Sequence, residues 1–527
     1  MAGRPVVIDG TPLRPSDVVA VARDGAPVTV APTVAAQLAT TRDVVEAALT
    51  SHRVVYGVTT GFGALADTIV PPDQAAELQH ALVRSHAAGI GPLVGDDVVR
   101  AMTALRARTL ATGHSGVRVD VVEAMAALLN AGIRAAVPLH GSLGASGDLA
   151  PMAHVASVLT GEGWVIGDDD APAPAAPALA RAGLRPLALS VKEGLALLNA
   201  TEGMLATLVL ACEDLAVLAD TADVVCAMSV EALLGTDRPF AERLQQLRPH
   251  PGQGRSAANL RLLLDGSGVL ASHRHSRHAV QDAYSLRCAP QVHGAARDAL
   301  SWGALVRDRE LASVVDNPVV FADGSVESTG NFHGEPVAFA LDLLALAAAE
   351  IGAISERRTD RLLDPARSHG LAPFLAPEAG LNSGFMLGQY TAASLVAENR
   401  RLAVPASADS IPTSGMQEDH VSMGWSAGMK LRTAIGNLQA ILGIEALVAA
   451  AGLEQRLDLL SEQDSGIAAA PATRRVLDRI RTTVEPMRTD RFLAADIAAV
   501  RDLVRAGALV EAAGISRTVP GGDPGEE

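Results

Sequence analysis

Apolar residues recur at helical spacing along most of the chain. They occupy positions i, i+3, i+4 and i+7 over three unusually long segments, which span residues 192–234, 337–361 and 422–454. Polar residues interrupt these segments without collecting on one broad face, which is typical of a helix that other helices surround on most sides. Strand signals are short: VVIDG at 6–10, and a run at 317–328 whose ADGS turn predicts a hairpin. The pattern therefore predicts an all-α protein, a large bundle of long, nearly parallel helices.

The composition agrees with helices that pack against helices. Hydrophobic residues make up 49% of the 527 residues but aromatic residues only 3%, so the core must be built mainly from alanine, leucine and valine. Only three tyrosines occur, Tyr56, Tyr284 and Tyr390. A chain that uses tyrosine so rarely has little reason to place one where phenylalanine would serve, which makes each phenol a candidate for chemistry.

Two changes of composition suggest how the chain is divided. The segment 167–180, GDDDAPAPAAPALA, runs from an acidic triplet into a Pro/Ala stretch that should not propagate a helix, which predicts an exposed loop. The C-terminal sequence VPGGDPGEE offers almost nothing to bury. The domain prediction is a smaller N-terminal part at 1–190, the helix bundle with the C-terminal helices at 191–510, and a disordered tail at 511–527.

Charge and cysteine usage argue against several classes of partner. Lysine and arginine total 43 against 59 acidic residues, a net charge of −16, so nucleic acid is not an expected partner. The longest uncharged run, 379–397, contains polar residues and glycines, so neither a membrane span nor a membrane partner is predicted. Cys212, Cys226 and Cys288 are too scattered for a disulfide framework and no secretory signal is evident, which favours the cytoplasm.

A glycine-rich segment at 140–151, HGSLGASGDLAP, is the strongest candidate for chemistry. It does not match a phosphate-binding P-loop or a GxSxG nucleophile elbow, because Asp148 stands where each motif needs another residue. It also lacks the preceding strand of a dinucleotide site. The tripeptide Ala145-Ser146-Gly147 is either an ordinary tight loop or the precursor of 4-methylidene-imidazol-5-one (MIO). That electrophile forms without an external cofactor, by attack of the glycine nitrogen on the alanine carbonyl and loss of two waters.

The chain resembles a known family at these residues, the MIO-dependent aromatic amino acid ammonia-lyases and aminomutases. The resemblance extends from about residue 8 to about residue 510. The motifs that carry it are YGVTTGFG (56–63), LVRSHAAGIG (82–91), GASGDLAP (144–151), KEGLALLN (192–199), VQDAYSLRCAPQV (280–292), DNP (316–318), GNFH (330–333) and QEDHVSM (417–423). Several long motifs in one order exclude chance similarity.

The resemblance implies a role for each of two tyrosines and one arginine. Tyr56 would take the proton from the substrate Cβ, on a glycine-rich loop that suits a mobile lid. Its phenol, with an ordinary pKa near ~10, would have to be acidified by nearby dipoles or by the electrophile. Tyr284 would assist proton handling, and Arg287, on the same helical turn, would bind the substrate carboxylate. A tyrosine that packs a turn and a surface arginine are the structural alternatives.

The remaining polar and aromatic positions match the family in part. By resemblance, Asn199 and Gln281 hydrogen-bond the electrophile or the substrate, and Phe332 forms an aromatic wall against the substrate ring. Asn317 is either a substrate contact or a residue that shapes its turn. The chain has Ala200 where the family carries glycine, which puts the rate in doubt more than the type of reaction.

Two positions separate the branches of the family. Where the phenylalanine enzymes carry Phe-Leu and the tyrosine enzymes His-Leu, this chain has Ser85-His86, the pattern of the histidine enzymes. Glu418 stands where the phenylalanine and tyrosine enzymes carry glutamine. Its carboxylate can accept a charge-assisted hydrogen bond from an imidazole N–H, whereas a phenyl ring has no N–H to donate. The resemblance thus implies elimination of ammonia from L-histidine to give trans-urocanate, the first step of histidine catabolism. The same chemistry on phenylalanine or tyrosine, an aminomutase, and a catalytically silent scaffold are the alternatives.

Assembly and metal binding complete the sequence-based expectations. The resemblance implies a homotetramer in which each active site is assembled from more than one subunit. The cluster of His273, His275 and His278 has a spacing that would suit a metal, but no fourth ligand is obvious and a solvated loop is favoured. No metal site is therefore predicted.

Overall fold

Helices dominate the computed structural model, which describes residues 4–51, 54–57, 59–144, 147–275 and 278–518. The first ten helices of these ranges are α1 (Pro15–Arg23), α2 (Thr33–Thr50), α3 (Ala75–His86), α4 (Asp96–Ala111), α5 (Val119–Asn130), α6 (Leu149–Leu159), α7 (Ala175–Arg181), α8 (Glu193–Leu198), α9 (Glu202–Ala232) and α10 (Glu242–Gln246). The next ten are α11 (Pro251–Leu264), α12 (Gly268–Ser272), α13 (Tyr284–Arg287), α14 (Ala289–Ala312), α15 (Glu335–Leu363), α16 (Met386–Leu402), α17 (Gly424–Ser461), α18 (Pro471–Arg481), α19 (Leu493–Arg505) and α20 (Ala508–Ala513). The predicted all-α class is confirmed.

The strands of the described chain are short and pair only two by two. They are β1 (Val6–Ile8), β2 (Val28–Val30), β3 (Ile90–Leu93), β4 (Pro138–His140), β5 (Trp164–Ile166), β6 (Pro172–Pro174), β7 (Val319–Val320) and β8 (Val326–Glu327). β1 pairs in parallel with β2, and the other three pairs, β3–β4, β5–β6 and β7–β8, are antiparallel. The strand predicted at 6–10 is confirmed as β1, and the predicted hairpin as β7–β8, with Val320 opposite Val326.

The chain forms two compact units that are interleaved in sequence. The first comprises Met1–Leu210, Leu305–Leu341 and Pro405–Met429, and the second comprises Ala211–Ala304, Asp342–Val404 and Lys430–Glu527. Four of the five boundaries between them fall inside α9, α14, α15 and α17, and the fifth, at 404–405, follows the end of α16. The linear division of the chain at residues 190 and 510 stays a prediction.

The three predicted long helical segments are present, with one interruption. The segment 337–361 lies within α15, and all but the first two residues of 422–454 lie within α17, whereas 192–234 is broken between α8 and α9. These regions are long and apolar enough to cross a membrane by length and composition alone, yet 67% to 100% of their most apolar windows is buried inside the protein. The predicted burial of the long helices is therefore confirmed.

The Pro/Ala stretch is not the loop that the sequence predicts. Residues 172–174 form β6, and the following seven residues form α7. Pro177 lies in the first turn of α7, where no intrahelical bond needs its missing N–H and where its fixed φ suits a helix. Ala175 and Leu179 are buried, so packing stabilises this short helix. Only the acidic end of the segment is a loop.

The first unit has an aliphatic core in which α4 is buried along nearly its whole length. Arg106 of α4 lies within this core and is fully buried. Its guanidinium donates to the carbonyls of Ala196 and Val315, each at 2.8 Å, and pairs with Glu202 at 3.1 Å. These bonds hold the end of α8 and the start of α9 against α4, which fixes the interruption between them.

The second unit buries its charges in pairs. Glu445 pairs with Arg358 at 2.5 Å, and both side chains are fully buried. Burial by itself raises the pKa of Asp223, but Arg297 and His293 outweigh it and lower the pKa to about 2. Asp223 belongs to the long helix α9. This polar residue among apolar ones is therefore a buried carboxylate that pairs with Arg297 and His293.

The buried pair of Lys192 and Asp316 in the first unit is expected to be essential for stability. The Lys192 ammonium lies 2.8 Å from the Asp316 carboxylate, and both side chains are fully buried. Lys192→Met leaves that carboxylate buried and unpaired, so we expect the free energy of unfolding to fall by about 3–5 kcal/mol. Denaturant unfolding followed by circular dichroism measures the loss.

An exposed pair provides the control for this prediction. Arg84 and Glu162 lie 2.6 Å apart, but their side chains are 63% and 37% exposed. Arg84→Met should therefore lower stability by no more than about 1 kcal/mol. The double variant Lys192→Met/Asp316→Asn should regain part of the loss, because no buried charge remains unpaired. Equal losses for Lys192→Met and Arg84→Met would contradict the argument.

Candidate active site

A cavity of about 570 Å³ in the first unit brings together four of the residues predicted from the sequence. They are Tyr56, His86, Asn199 and Glu418. The rest of its lining is mostly small or apolar, with Ser85 and Ser414 as further polar side chains: Gly61, Phe62, Gly63, Ala64, Leu65, Leu78, Ala81, Leu82, Ser85, Leu149, Leu195, Leu198, Ser414 and Gly415. An apolar cavity with a few convergent polar groups is the usual form of a small-molecule site.

The loop that carries Tyr56 is shaped by its glycines. Gly57 has a φ of 66°, and a Cβ at this position would lie 2.3 Å from Leu195 Cδ2. Gly63 donates its N–H to the Tyr56 hydroxyl at 3.2 Å. Phe62 meets the Tyr56 ring edge to face, with 6.3 Å between the ring centroids. The loop therefore folds back on the phenol and presents it to the cavity.

The electrostatic environment of Tyr56 differs from the sequence-based expectation. Burial raises the pKa of its phenol, and the charge of Glu418 raises it further. Among the described residues, only the hydrogen bond from Gly63 acts to lower the pKa. The described residues do not acidify this phenol, because desolvation outweighs the single dipole that faces the oxygen. Its acidification by the electrophile stays a prediction, since Ala145 and Ser146 lie outside the described residues.

His86 is the last residue of α3, and its ring is held by the preceding turn. Its Nδ1 lies 2.9 Å from the Leu82 carbonyl oxygen, which can only accept, so Nδ1 carries the proton. Nε2 is then an acceptor. Burial lowers the pKa of this imidazole more than the Leu82 carbonyl and Glu418 raise it. The ring is therefore neutral at neutral pH, with its lone pair on Nε2.

Glu418 is positioned by the turn that precedes it. The Thr413 hydroxyl donates to its carboxylate at 2.9 Å, and backbone bonds join the two residues in both directions, at 2.8 and 3.3 Å. Ser414, next along the chain, accepts the N–H of Ala64 at 3.2 Å. One short turn thus orients the carboxylate and also contacts the loop of Tyr56.

Asn199 lies at the interruption between α8 and α9. Its φ and ψ of −78° and 80° end α8. The side-chain NH₂ donates to the Asn317 carbonyl at 2.9 Å, which leaves the amide oxygen Oδ1 buried without a hydrogen-bond partner among the described residues. A buried acceptor of this kind is unfavourable unless another group donates to it. Its position in the cavity wall makes it a binding group for an N–H or O–H donor.

The tripeptide Ala145-Ser146-Gly147 is described only at its last residue, since Ala145 and Ser146 lie outside the described residues. Gly144 and Gly147 on either side form an antiparallel bridge, with φ values of 72° and 85°. A Cβ on Gly147 would lie 2.0 Å from the Ala200 oxygen, so only glycine permits this approach. The bridge brings Gly144 and Gly147 close together, and Gly147 has no side chain to block approach of its nitrogen to a carbonyl carbon. The described residues therefore fit the predicted prosthetic group.

Asp148 follows the tripeptide and is fully buried. Burial raises the pKa of its carboxyl group to about 7, although hydrogen bonds from the Met204 N–H and the Ser142 hydroxyl act in the opposite direction. These bonds measure 2.8 and 3.1 Å. Asp148 therefore ties this segment to the start of α9.

Tyr284, Arg287 and Gln281 belong to the second unit. Tyr284 and Arg287 form the single turn α13, and the guanidinium carbon lies 4.7 Å from the centre of the Tyr284 ring. The prediction that the two side chains point the same way is confirmed. Tyr284 is 71% exposed, Gln281 is also exposed, and Arg287 Nε is buried without a partner among the described residues.

Comparison with known proteins decides the family. The model of the aromatic amino acid lyase family matches residues 13–482. The chain belongs to the aromatic amino acid lyase family. It is 54% identical to the histidine ammonia-lyase of Streptomyces avermitilis over 509 residues, 96% of this chain and 98% of that protein.

Two solved structures extend the comparison for this aromatic amino acid lyase. The tyrosine aminomutase of Streptomyces globisporus superposes with a TM-score of 0.89 at 39% identity, over 96% of this chain and 98% of that one. The histidine ammonia-lyase of Trypanosoma cruzi superposes with a TM-score of 0.86 at 38% identity, over 97% and 95% of the two chains.

Two predicted residues of this aromatic amino acid lyase lie in the first unit but not among the residues that line its cavity. Asn317 accepts the N–H of Thr329 on its side-chain oxygen at 3.0 Å, which is the turn-shaping geometry that the sequence leaves open. Phe332 is half-buried. Their contacts with substrate stay predictions.

Sequence reasoning missed three residues of the lyase site. Thr413 and Ser414 belong to the PTSG turn that precedes the QEDH motif, and a Thr-Ser pair next to a functional carboxylate was the available signal. In the sequence, Asp148 serves only to exclude the P-loop and GxSxG motifs. Its burial beside the tripeptide depends on contacts with Ser142 and Met204 that no local pattern reveals.

Proposed function

We propose that this aromatic amino acid lyase removes ammonia from L-histidine and gives trans-urocanate, the first step of histidine catabolism. The observation that carries the proposal is that His86 and Glu418 line one cavity with Tyr56. The Glu418 carboxylate accepts one ring N–H of the substrate and the neutral His86 accepts the other on Nε2, so the pair binds the ring as an imidazolium. A phenyl ring has no N–H to donate to either group, so both would be desolvated without a new hydrogen bond.

The elimination needs a base for the Cβ proton and a better leaving group than free amine. Tyr56 is the proposed base, and its phenolate oxygen accepts the Cβ proton as the C–N bond breaks. The MIO group proposed to form from Ala145, Ser146 and Gly147 supplies an electrophile that activates the amine. The unpartnered amide oxygen of Asn199 is positioned to accept an N–H from the substrate amine.

The substrate carboxylate is proposed to bind Arg287, whose planar guanidinium matches it in shape and charge. Arg287, Tyr284 and Gln281 lie in the second unit, with Tyr284 mostly exposed in the single chain. We propose a homotetramer in which these residues complete the active site of a neighbouring copy.

Co-expression of two inactive variants, Tyr56→Phe and Tyr284→Phe, should then restore activity, because some mixed sites contain both tyrosines. Failure to restore activity would contradict shared sites.

The second candidate is an aminomutase, which returns ammonia to Cβ. The likeness to a tyrosine aminomutase, with a TM-score of 0.89, gives this candidate its support. The fold therefore does not distinguish an ammonia-lyase from an aminomutase. Only identification of the reaction products distinguishes them.

The decisive experiment incubates the purified full-length chain separately with L-histidine, L-phenylalanine and L-tyrosine. Ultraviolet absorbance follows the conjugated product, and proton NMR detects any β-amino acid. Urocanate should form from histidine alone. Faster formation of cinnamate would overturn the substrate proposal, and accumulation of β-histidine would favour the aminomutase.

Replacing the imidazole-facing carboxylate should change substrate preference. Glu418→Gln keeps the shape of the side chain but removes its charge, and a hydrogen bond to a charged group contributes about 1.5–3 kcal/mol. We expect kcat/KM for L-histidine to fall about 10- to 150-fold. Residual turnover of L-phenylalanine should stay unchanged or rise.

A neighbouring substitution provides the matched variant for this test. Thr413→Val removes the hydroxyl that orients the carboxylate but leaves the charge, so its loss on histidine should be smaller than that of Glu418→Gln. Thr413→Ser, which keeps the hydroxyl, should behave like the unmodified chain. Equal losses on histidine and phenylalanine in Glu418→Gln would show that the carboxylate does not select the ring.

A cytoplasmic location is part of the same proposal. Cys212 and Cys226 are buried, Cys288 is half-buried, and none of the three forms a disulfide bond in the described part of the chain. Cysteines without disulfide bonds agree with a reducing compartment.

A further inference from the structure

Two histidines and a glutamate from distant segments of the first unit come together outside the residues that line the cavity. They are His333, Glu335 and His420, each of which offers one ligand atom within 4.8 Å of the other two. His420 Nδ1 lies 3.3 Å from His333 Nε2, and His333 Nδ1 lies 3.8 Å from a Glu335 carboxylate oxygen. The two imidazole rings are stacked, with centroids 5.4 Å apart and 29° between their planes.

Hydrogen bonds within the cluster do not satisfy this arrangement. The Glu335 oxygen Oε2 is buried and has no hydrogen-bond partner among the described residues, since 3.8 Å is too long for a hydrogen bond. The facing nitrogens of the two rings share at most one proton while both rings are neutral. A buried carboxylate oxygen without a donor is unfavourable, and a cation between the three side chains would remove that cost.

We propose that His333, Glu335 and His420 form a binding site for a divalent transition-metal ion, with Zn²⁺ as the best match. Two imidazole nitrogens and one carboxylate oxygen are a common zinc ligand set, and a bound water would complete four-coordination. Ligand atoms on a tetrahedral zinc ion lie about 3.3 Å apart, given bonds of about 2.0–2.1 Å. The two facing imidazole nitrogens already have this separation.

The second histidine cluster, which contains His273 and His278, does not offer nitrogens that are available to a metal ion. His273 places both ring nitrogens against backbone carbonyls, Nδ1 at 2.8 Å from Val269 and Nε2 at 2.9 Å from Gly235. His278 likewise directs Nε2 at the Leu234 carbonyl, at 3.1 Å. Both ring nitrogens of His273 therefore face carbonyls, whereas in His333 only Nε2 lies near one, the His420 carbonyl oxygen at 3.3 Å, and Nδ1 faces Glu335.

The ligands of the proposed ion lie close in sequence to two residues with predicted roles in substrate binding. Phe332 directly precedes His333, and Glu418 lies two residues before His420. An ion held by the three ligands would link the two segments that carry these side chains. Binding of the ion itself does not depend on the proposed reaction, so either proposal can fail without the other.

The test measures metal binding to the full-length protein without substrate, because L-histidine itself chelates these ions. The protein is treated with a chelator, dialysed and titrated with Co²⁺, whose visible absorption reports its coordination, and Zn²⁺ is then added as a competitor. We expect one equivalent of Co²⁺ per chain, displacement by Zn²⁺, and a higher thermal midpoint with Zn²⁺ bound. His420→Ala and Glu335→Gln should each lose this equivalent, whereas His273→Ala should keep it.

Several results would overturn the assignment. If the unmodified chain shows no saturable binding of Co²⁺, the proposed site does not exist. Binding that survives both His420→Ala and Glu335→Gln, or that is lost in His273→Ala, would place the ion elsewhere. Loss of binding in Glu418→Gln but not in His420→Ala would place it in the cavity. His420 is exposed, so His420→Ala is expected to fold, and circular dichroism of each variant checks this.

Discussion

Ser146→Ala is expected to abolish turnover of L-histidine while leaving the chain folded. Alanine has no hydroxyl to leave as water, so the proposed ring cannot complete its dehydration and the amine of the substrate is not activated. We expect kcat to fall by at least about 10³-fold, the order lost when an enzyme's covalent group is removed. The unmodified protein should be lighter than its encoded sequence by two water molecules, and intact mass spectrometry measures this directly.

A second serine of the same turn is the matched control. Ser142 donates to Asp148 at 3.1 Å, but it lies outside the tripeptide. Ser142→Ala should therefore keep the loss of two waters, with activity reduced rather than abolished. If the unmodified chain shows its full encoded mass, or if Ser146→Ala turns over histidine at an unchanged rate, the proposed electrophile is wrong.

The fold was predictable where local periodicity decides it. The spacing of apolar residues identified the regions of α15 and α17, because a buried helix must repeat its apolar positions. The same rule missed the interruption at Asn199, where Arg106 and the contact of Ala200 with Asp148 override local helix preference. It also missed α7, whose Pro177 falls at a permitted position only because the helix begins just before it.

The site was predictable where single motifs carry it. Tyr56, His86, Asn199 and Glu418 were each named from their own segment, and the structure brings them to one cavity. Contacts between segments were not predictable: Ser414 and Ala64 are 350 residues apart in sequence. The burial that raises the Tyr56 pKa was not predictable for the same reason, since burial depends on the assembled structure rather than on neighbouring residues.

Tyr56→Phe is expected to lower kcat by about 10²- to 10⁴-fold, because it removes the group proposed to accept the Cβ proton. KM for L-histidine should change little, since the ring stays in the cavity wall and only one oxygen is lost. Tyr390→Phe is the matched control. Tyr390 is 58% exposed and belongs to the second unit, so its loss of a hydroxyl should leave kcat unchanged. Stopped-flow or steady-state absorbance of urocanate measures both variants.

The pH dependence of kcat tests whether Tyr56 acts as the base rather than only as part of the wall. Only the phenolate accepts a proton, and burial together with Glu418 raises the phenol pKa, so kcat should rise with pH through the neutral and mildly alkaline range. Tyr56→Phe should lose this rise. Glu418→Gln removes one of the two causes that raise the pKa, so its rise should occur at lower pH. A profile that Tyr56→Phe leaves unchanged would assign the proton to another group, and Tyr284 of a neighbouring copy would be the first residue to test.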